Sequence, residues 1–142
     1  LIETTLSRIG HADGVIGVIA TDHAPHDSLE KEVEFDNAAF GMIGLQTALP
    51  LTLELVRDGV ITLPDAVRKL SSNGAAILGI PGGEIKQGEA ADLAIIDMVC
   101  EYRFEEKDIL SKSRNSPFLG RMLTGRCDLT MVGGKIVYQR DT

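Results

Sequence analysis

The sequence predicts an α/β unit at the start of the chain and a smaller β-rich unit after it. An apolar run with many β-branched residues, VIGVIA at 15–20, is typical of a strand that is buried on both faces, as in a parallel sheet. Apolar residues then recur at helical spacing between 40 and 79, and beyond Pro81-Gly82-Gly83 their period changes to two. These observations place the boundary between the two units at residues 80 and 81.

Composition and charge narrow the class of protein. At 142 residues the chain is long enough to bury a core, and its net charge of −7 argues against a nucleic-acid partner. The sequence contains neither a membrane-spanning run nor an export signal at its start, so we expect a cytoplasmic protein without membrane contact. Cys100 and Cys127 lack the spacing of a metal-binding pair, which favours reduced structural thiols, although a disulfide stays open.

Three helices are predicted after the first strand and an acidic segment. Residues 27–36 are strongly acidic and predict a solvated loop, with a mobile lid as the alternative. The first helix places its apolar residues at helical spacing and ends before Gly59, which requires Pro50 to lie near its first turn. The other two helices are predicted from capping signals at Thr62 and Asn73.

The β-rich unit is predicted from period-two runs that polar turns and glycines separate. The expected strands are short and cover residues 84–85, 92–97 and 100–104. Near the carboxyl end, Gly133-Gly134-Lys135 lies between two β-rich runs, which is a strong signal for a hairpin. The polar stretch at 111–124 between these parts predicts an ordered loop.

The motif TDHAPH at 21–26 follows the predicted strand directly. A carboxylate at the carboxyl end of a parallel strand lies where α/β sheets and (β/α)₈ barrels place their active sites, so Asp22 is a candidate. Carboxylates and imidazoles bind divalent metals, and a carboxylate can also move a proton. The spacing alone leaves an alternative open, in which Asp22 caps a turn while His23 and His26 bind backbone carbonyls.

Five further passages, together with this motif, resemble the carboxyl-terminal third of bacterial dihydroorotases of the amidohydrolase superfamily. The similarity lies, in chain order, in DGVIGVIATDHAPH, the acidic loop with Glu30-Lys31, AAFGMIGLQTALPL, the glycine-containing passage at 83–97, SKSRNSPFLGRMLTG and TMVGGKIVY. Allantoinases and hydantoinases share the aspartate and the Ala-Asp-Leu pattern. One departure is Ser71 to Ala76, where the family usually has Asn-Pro-Ala-Lys; it weakens a helix start and leaves the chemistry untouched.

The resemblance implies a role for each matching residue. Asp22 would be a metal ligand and the general acid/base, which takes a proton from the metal-bound hydroxide and delivers it to the leaving ring nitrogen. His26 would bind the substrate carboxylate, and Phe40 and Gly41 would contact the pyrimidine ring. Without the resemblance, Phe40 would be interpreted as a core aromatic residue. His23 is expected to support the structure around the site, and His11, outside any motif, is expected at the surface.

The resemblance also implies a cofactor, a substrate and an architecture. It predicts two zinc ions and the interconversion of dihydroorotate and N-carbamoyl-aspartate, with a homodimer and an association with aspartate transcarbamoylase left open. Residues 1–80 would form the last strand and closing helices of a TIM (β/α)₈ barrel, and residues 81–142 a small β-sandwich. The chain has no His-x-His pair, so the other metal ligands must come from elsewhere. We therefore expect a carboxyl-terminal fragment that is inactive alone and exposes apolar helix faces.

Two alternative functions stay open. A related cyclic amidohydrolase of the allantoinase or hydantoinase type would keep Asp22 but would not need His26 for a substrate carboxylate. A noncatalytic homologue that scaffolds aspartate transcarbamoylase would lack the upstream metal ligands.

Overall fold

The computed structural model describes residues 10–27 and 29–141. After the helical residues 10–12, three helices precede a three-stranded antiparallel sheet. Short 3₁₀ turns lie at Phe35–Asn37 and Glu106–Asp108. In the part of the chain so described, no helix has the length and apolar character needed to cross a bilayer. The regular elements are α1 (Leu45–Arg57), α2 (Leu63–Leu70), α3 (Ser72–Leu78), β1 (Leu93–Arg103), β2 (Met122–Val132) and β3 (Lys135–Gln139).

Helix α1 has the predicted apolar spacing, but it begins further ahead of Pro50 than expected. It begins at Leu45, so Pro50 lies in the second turn and not in the first, where it was expected. Proline has no N–H, and therefore the Gln46 carbonyl loses its helical donor. Burial of Pro50 among other apolar residues of α1 offsets this loss.

The capping signal of α2 is confirmed, whereas that of α3 is shifted. At α2, the Thr62 hydroxyl accepts a hydrogen bond from the Asp65 N–H at 3.3 Å, and the Asp65 carboxylate accepts one from the Thr62 N–H at 3.2 Å. At α3 the cap position is Ser71, and the Asn73 side chain instead donates to the Gly17 carbonyl at 2.7 Å. Gly79 ends α3 with a φ of 65°, as predicted.

The sheet has the order β1-β2-β3. The strands predicted at 92–97 and 100–104 are joined in β1, with an irregularity between Asp97 and Glu101 where the Asp97 carboxylate accepts the N–H groups of Val99 and Cys100 at 3.0 Å each. The hairpin is confirmed, and its two-residue turn has φ values of 55° at Gly133 and 78° at Gly134.

Two predicted strands do not form in the described chain. Residues 84–85 belong to no strand, and residues 15–20 form no ladder, because a strand requires a hydrogen-bonded neighbour along its length. Among the described residues, the only β contact near the 15–20 run is an isolated parallel bridge, which joins His23 to Met42. Ile19 is nevertheless buried, and its N–H donates to the Lys69 carbonyl at the end of α2 at 2.9 Å.

The main core joins the helices to the β-rich unit. Its buried side chains come from the segment before α1, from α1 itself, and from β2 and the loop around the second 3₁₀ turn: Ile43, Leu51, Phe104, Ile109 and Leu123. Across the edge of this core, the Arg121 guanidinium donates to both carboxylate oxygens of Glu54 at 2.9 and 3.0 Å. The core and this ion pair therefore join α1 to the β-rich unit, and the core also holds Ile43.

We predict that Gly83→Ala destabilises the protein more than Gly134→Ala does. Both glycines have nearly the same φ, 79° and 78°, so an alanine meets similar backbone strain at each. At Gly83, however, a Cβ would lie 2.7 Å from the Ser72 Cα, whereas at Gly134 it meets open space. We expect an additional loss of about 1–3 kcal/mol in the free energy of unfolding for Gly83→Ala. Equal urea midpoints for the two variants would contradict this packing.

We also predict a pH-dependent contribution from Asp65. Hydrogen bonds from Thr62 and then from Arg68 hold the pKa of Asp65 below its ordinary value of 3.8. A lowered pKa stabilises the folded state above pH 3.8, and this contribution is lost as the pH falls through the folded value. The stability difference between wild type and Asp65→Asn should therefore shrink from pH 7 to pH 3, as followed by urea unfolding. Asp13→Asn, which removes an exposed carboxylate, serves as the control. The effect would be contradicted if the stability difference between wild type and Asp65→Asn were the same at pH 7 and pH 3.

Candidate functional site

Two segments of the chain meet at the candidate site. The motif at 21–26 runs beside residues 40–44, and the Ala24 N–H donates to the Met42 carbonyl at 2.9 Å within the parallel bridge. This contact brings together the neighbourhoods of Asp22, His26 and Gly41, which the sequence had placed in separate motifs.

Asp22 is exposed and has the unusual backbone of a residue placed for its side chain. Its φ of 45° is the only positive φ among the non-glycine residues described, and aspartate tolerates this region better than most residues. It lines a cavity of about 100 Å³ with residues that include Thr21, Met42 and Phe118. Within the described chain its carboxylate has no hydrogen-bond or ion-pair partner. Asp22 therefore does not cap a turn here, and its oxygens are open to a ligand.

His23 and Gly44 hold the two segments together. The His23 Nδ1 accepts a hydrogen bond from the Gly44 N–H at 3.1 Å, so the neutral ring carries its proton on Nε2. A Cβ at Gly44 would lie 2.9 Å from the Thr21 carbonyl oxygen, and only glycine permits this approach. This contact agrees with the expected role of His23 in supporting the structure around the site.

His26 is half-exposed and lies next to Gly41. Its Nδ1 is 3.1 Å from a carboxylate oxygen of Glu30, four residues later in the acidic loop. An exposed pair of this kind contributes little to stability but restricts the orientation of the ring. The imidazole is in contact distance of Gly41, since a Cβ on that glycine would lie 3.7 Å from the His26 Nε2.

Gly41 and Phe40 differ sharply in their surroundings. Gly41 has a φ of 115°, and a Cβ there would lie 2.4 Å from the Cβ of Ala24, so glycine is required for both reasons. Phe40 is 87% exposed, which excludes the alternative of a core aromatic in the structure described. An exposed phenyl ring beside a closely approached backbone provides an apolar surface at the edge of the site.

Two residues that contact the site were not identified from the sequence. The Lys31 Nζ and the Asn115 Nδ2 both donate to the Gly41 carbonyl, at 2.5 and 2.7 Å. Asn115 lies 74 positions from Gly41 in the chain, so no local pattern could connect the two. Lys31 is the single cation of the acidic loop and lies in a passage that carries the resemblance, but neither feature assigned it to the site.

The prediction that His11 lies at the surface is wrong. His11 is only 5% exposed, and burial together with the nearby charge of Lys69 lowers its pKa below the ordinary 6.5. The Lys69 ammonium donates to the Ile16 carbonyl, which brings it into this region from α2. His11 and Lys69 are 58 positions apart, so their proximity depends on the tertiary fold.

The described residues fit one ligand of a metal site but not a complete one. No group of three or more His, Cys, Asp or Glu side chains within residues 10–27 and 29–141 is arranged to hold an ion. The unpartnered, exposed carboxylate of Asp22 has the donor chemistry of a single ligand. The remaining ligands of any such centre are not among the residues that the structure describes.

Curated relatives match nearly the whole of this chain but extend well beyond it. The dihydroorotase of Anaeromyxobacter dehalogenans strain 2CP-C is 47% identical over 132 residues, which cover 93% of this chain and 30% of the relative. The dihydroorotase of Endomicrobium trichonymphae is 52% identical over 132 residues, or 92% of this chain and 31% of the relative. The chain therefore spans about a third of the length of these proteins.

Solved structures agree on the fold. The L-hydantoinase (dihydropyrimidinase) from Arthrobacter aurescens superposes with a TM-score of 0.86 at 30% identity, over 95% of this chain and 31% of that one. The dihydropyrimidinase from Brevibacillus agri NCHU1002 gives 0.88 at 22% identity, over 94% of this chain and 31% of that one, which speaks for the fold alone. The model of the amidohydrolase family matches residues 4–137. Because this match covers most of the sequence, the chain belongs to the amidohydrolase family.

Proposed function

We propose that this chain is the carboxyl-terminal part of a dihydroorotase, which hydrolyses the ring amide of dihydroorotate reversibly to N-carbamoyl-aspartate in pyrimidine biosynthesis. The observation that carries the proposal is the exposed carboxylate of Asp22, which lines a cavity with Met42 and Gly44 and has no hydrogen-bond partner among the described residues. The identity of 47–52% to dihydroorotases over more than nine tenths of the chain supports this substrate class.

Asp22 would be the proton-transfer group of the reaction and one ligand of the metal centre. A bound pair of divalent ions, zinc by the family resemblance, would acidify the attacking water and polarise the scissile carbonyl. Asp22 would accept the proton of this water and donate it to the ring nitrogen as the amide bond breaks. Because no described residue competes for its oxygens, the carboxylate is available for both tasks.

His26, Phe40 and Gly41 would bind the substrate. As an imidazolium, the half-exposed His26 ring would donate one hydrogen bond from Nδ1 to the Glu30 carboxylate and a second from Nε2 to the substrate carboxylate. Phe40 offers an exposed ring face for the dihydropyrimidine, and Gly41 lets the main chain approach it closely.

The remainder of the proposed enzyme would complete the fold as well as the site. Residues 1–80 would supply the last strand and closing helices of the barrel, and residues 81–142 a small β-sandwich. Several apolar side chains at the end of α3 and in the following segment are largely exposed, including Ile77, Leu78 and Ile85, as expected for surfaces that more chain would cover. On this proposal the segment is inactive alone.

A hydantoinase-type reaction is the second candidate. Its support is the structural likeness to the L-hydantoinase from Arthrobacter aurescens at 30% identity. The higher identity to dihydroorotases favours the first proposal. The two differ in the substrate group that His26 would bind, because hydantoins lack the ring carboxylate of dihydroorotate.

We predict that Asp22→Asn in the complete protein lowers kcat for dihydroorotate by about 10²–10⁴-fold, because the amide cannot accept the proton of the attacking water. Asp36→Asn, in the acidic loop, is the matched control and should leave kcat unchanged. Initial rates at saturating substrate measure the effect. Near-normal turnover by Asp22→Asn would refute the assignment.

We further predict that His26→Gln raises KM for dihydroorotate by about 10-fold or more, through loss of a hydrogen bond to a charged group. Dihydrouracil has the same ring without the carboxylate, so its affinity, measured as KM or as an inhibition constant, should change less than twofold. Equal losses for the two rings would favour the hydantoinase-type alternative, in which His26 does not select a carboxylate.

A further inference from the structure

We infer that Lys31 and Asn115 are positioning residues that hold the Phe40–Gly41 peptide in the orientation required for recognition of a cyclic-amide ring. We call the two donors together with the Gly41 carbonyl the Gly41 clamp. This inference rests on the proposed function and adds two residues to it that lie outside the matching site positions.

The clamp concentrates two donors on one oxygen. The Lys31 ammonium lies 2.5 Å and the Asn115 amide nitrogen 2.7 Å from the Gly41 carbonyl oxygen. A carbonyl has two lone pairs, so these bonds saturate it. The ammonium also donates to the Ala39 carbonyl, so Lys31 bridges two carbonyls on either side of Phe40.

These contacts fix the two peptide planes that flank the Phe40–Gly41 peptide. The Ala39 carbonyl belongs to the plane before it, and the Gly41 carbonyl to the plane after it. Within the described chain neither the Phe40 carbonyl nor the Gly41 N–H has a hydrogen-bond partner. The clamp therefore orients a peptide whose own polar groups remain available to a ligand.

The need for such a clamp follows from the backbone at Gly41. Its φ of 115° is accessible to glycine alone, but glycine also has the greatest freedom to leave it. No regular strand restrains residues 38–41, since the neighbouring β contact is the isolated bridge at Met42. The clamp supplies the restraint that a ladder of backbone hydrogen bonds would otherwise provide.

Asn115 ties this peptide to the β-rich unit. Its backbone carbonyl accepts the Ile43 N–H at 2.9 Å, two residues beyond the carbonyl that its side chain binds. Its own N–H donates to the Ser113 hydroxyl at 3.2 Å, which fixes the loop locally. One residue thus holds residues 41 and 43 at the same time.

The test compares Lys31→Met and Asn115→Ala in the complete protein, with Lys135→Met and Gln139→Ala in the exposed hairpin as controls. We expect both clamp variants to raise KM for dihydroorotate by about 10-fold while kcat falls less than threefold, because ground-state and transition-state binding are lost together. Lys31→Arg, which keeps the charge and donors, should restore KM to within threefold of wild type. Controls should match wild type.

A second readout does not depend on turnover. Hydrogen exchange of the peptide that covers residues 38–43 should accelerate in both clamp variants and not in the controls. Unchanged KM and unchanged exchange in both variants would overturn the clamp. A lowered thermal midpoint with unchanged KM would also overturn it, since it would show a purely structural role. Inactivity of the wild-type complete protein on dihydroorotate would instead refute the proposed function, and the exchange result would still decide the clamp.

Discussion

The site depends on the pairing between the motif at 21–26 and the segment at 40–44. Only a few contacts make this pairing: the Ala24 N–H to the Met42 carbonyl, the Gly44 N–H to His23, and the close approach of Gly41 to Ala24. Each hydrogen bond is of modest net value, on the order of 1 kcal/mol. The pairing holds because Ile43 is anchored in the main core, one residue beyond the bridge. Packing thus supplies the stability, and the hydrogen bonds supply the geometry.

Glycines make the approach of these segments feasible. At Gly41 and Gly44 a Cβ would overlap atoms of the opposite segment, at 2.4 and 2.9 Å. Backbones that come this close place their peptide groups, and not their side chains, at the surface of the cavity. Asp22 lines this cavity, whereas His26 lies beside Gly41, and no hydrogen bond joins the two side chains in the described chain.

Features that depend on contacts between residues close in sequence could be predicted, whereas those that depend on distant residues could not. The capping box at Thr62 and the helix end at Gly79 were predictable because their hydrogen bonds join residues at most four positions apart. The cap at Asn73 was wrong because its amide is used by the Gly17 carbonyl, 56 positions away. The resemblance predicted Asp22, His26 and Gly41 as site residues, and their proposed roles stay predictions. Asn115 could not be predicted at all, since only the folded chain brings it to Gly41.

On the proposed function, the contact of Asn115 with Gly41 would connect the β-rich unit thermodynamically to ring recognition. Anything that stiffens the loop around this residue, such as a bound molecule on the far face of the sheet, would also reduce the conformational entropy that Gly41 loses when a ligand arrives. Linkage is reciprocal, so a ligand that orders Gly41 would favour the ordered form of the loop around Asn115 by the same free energy.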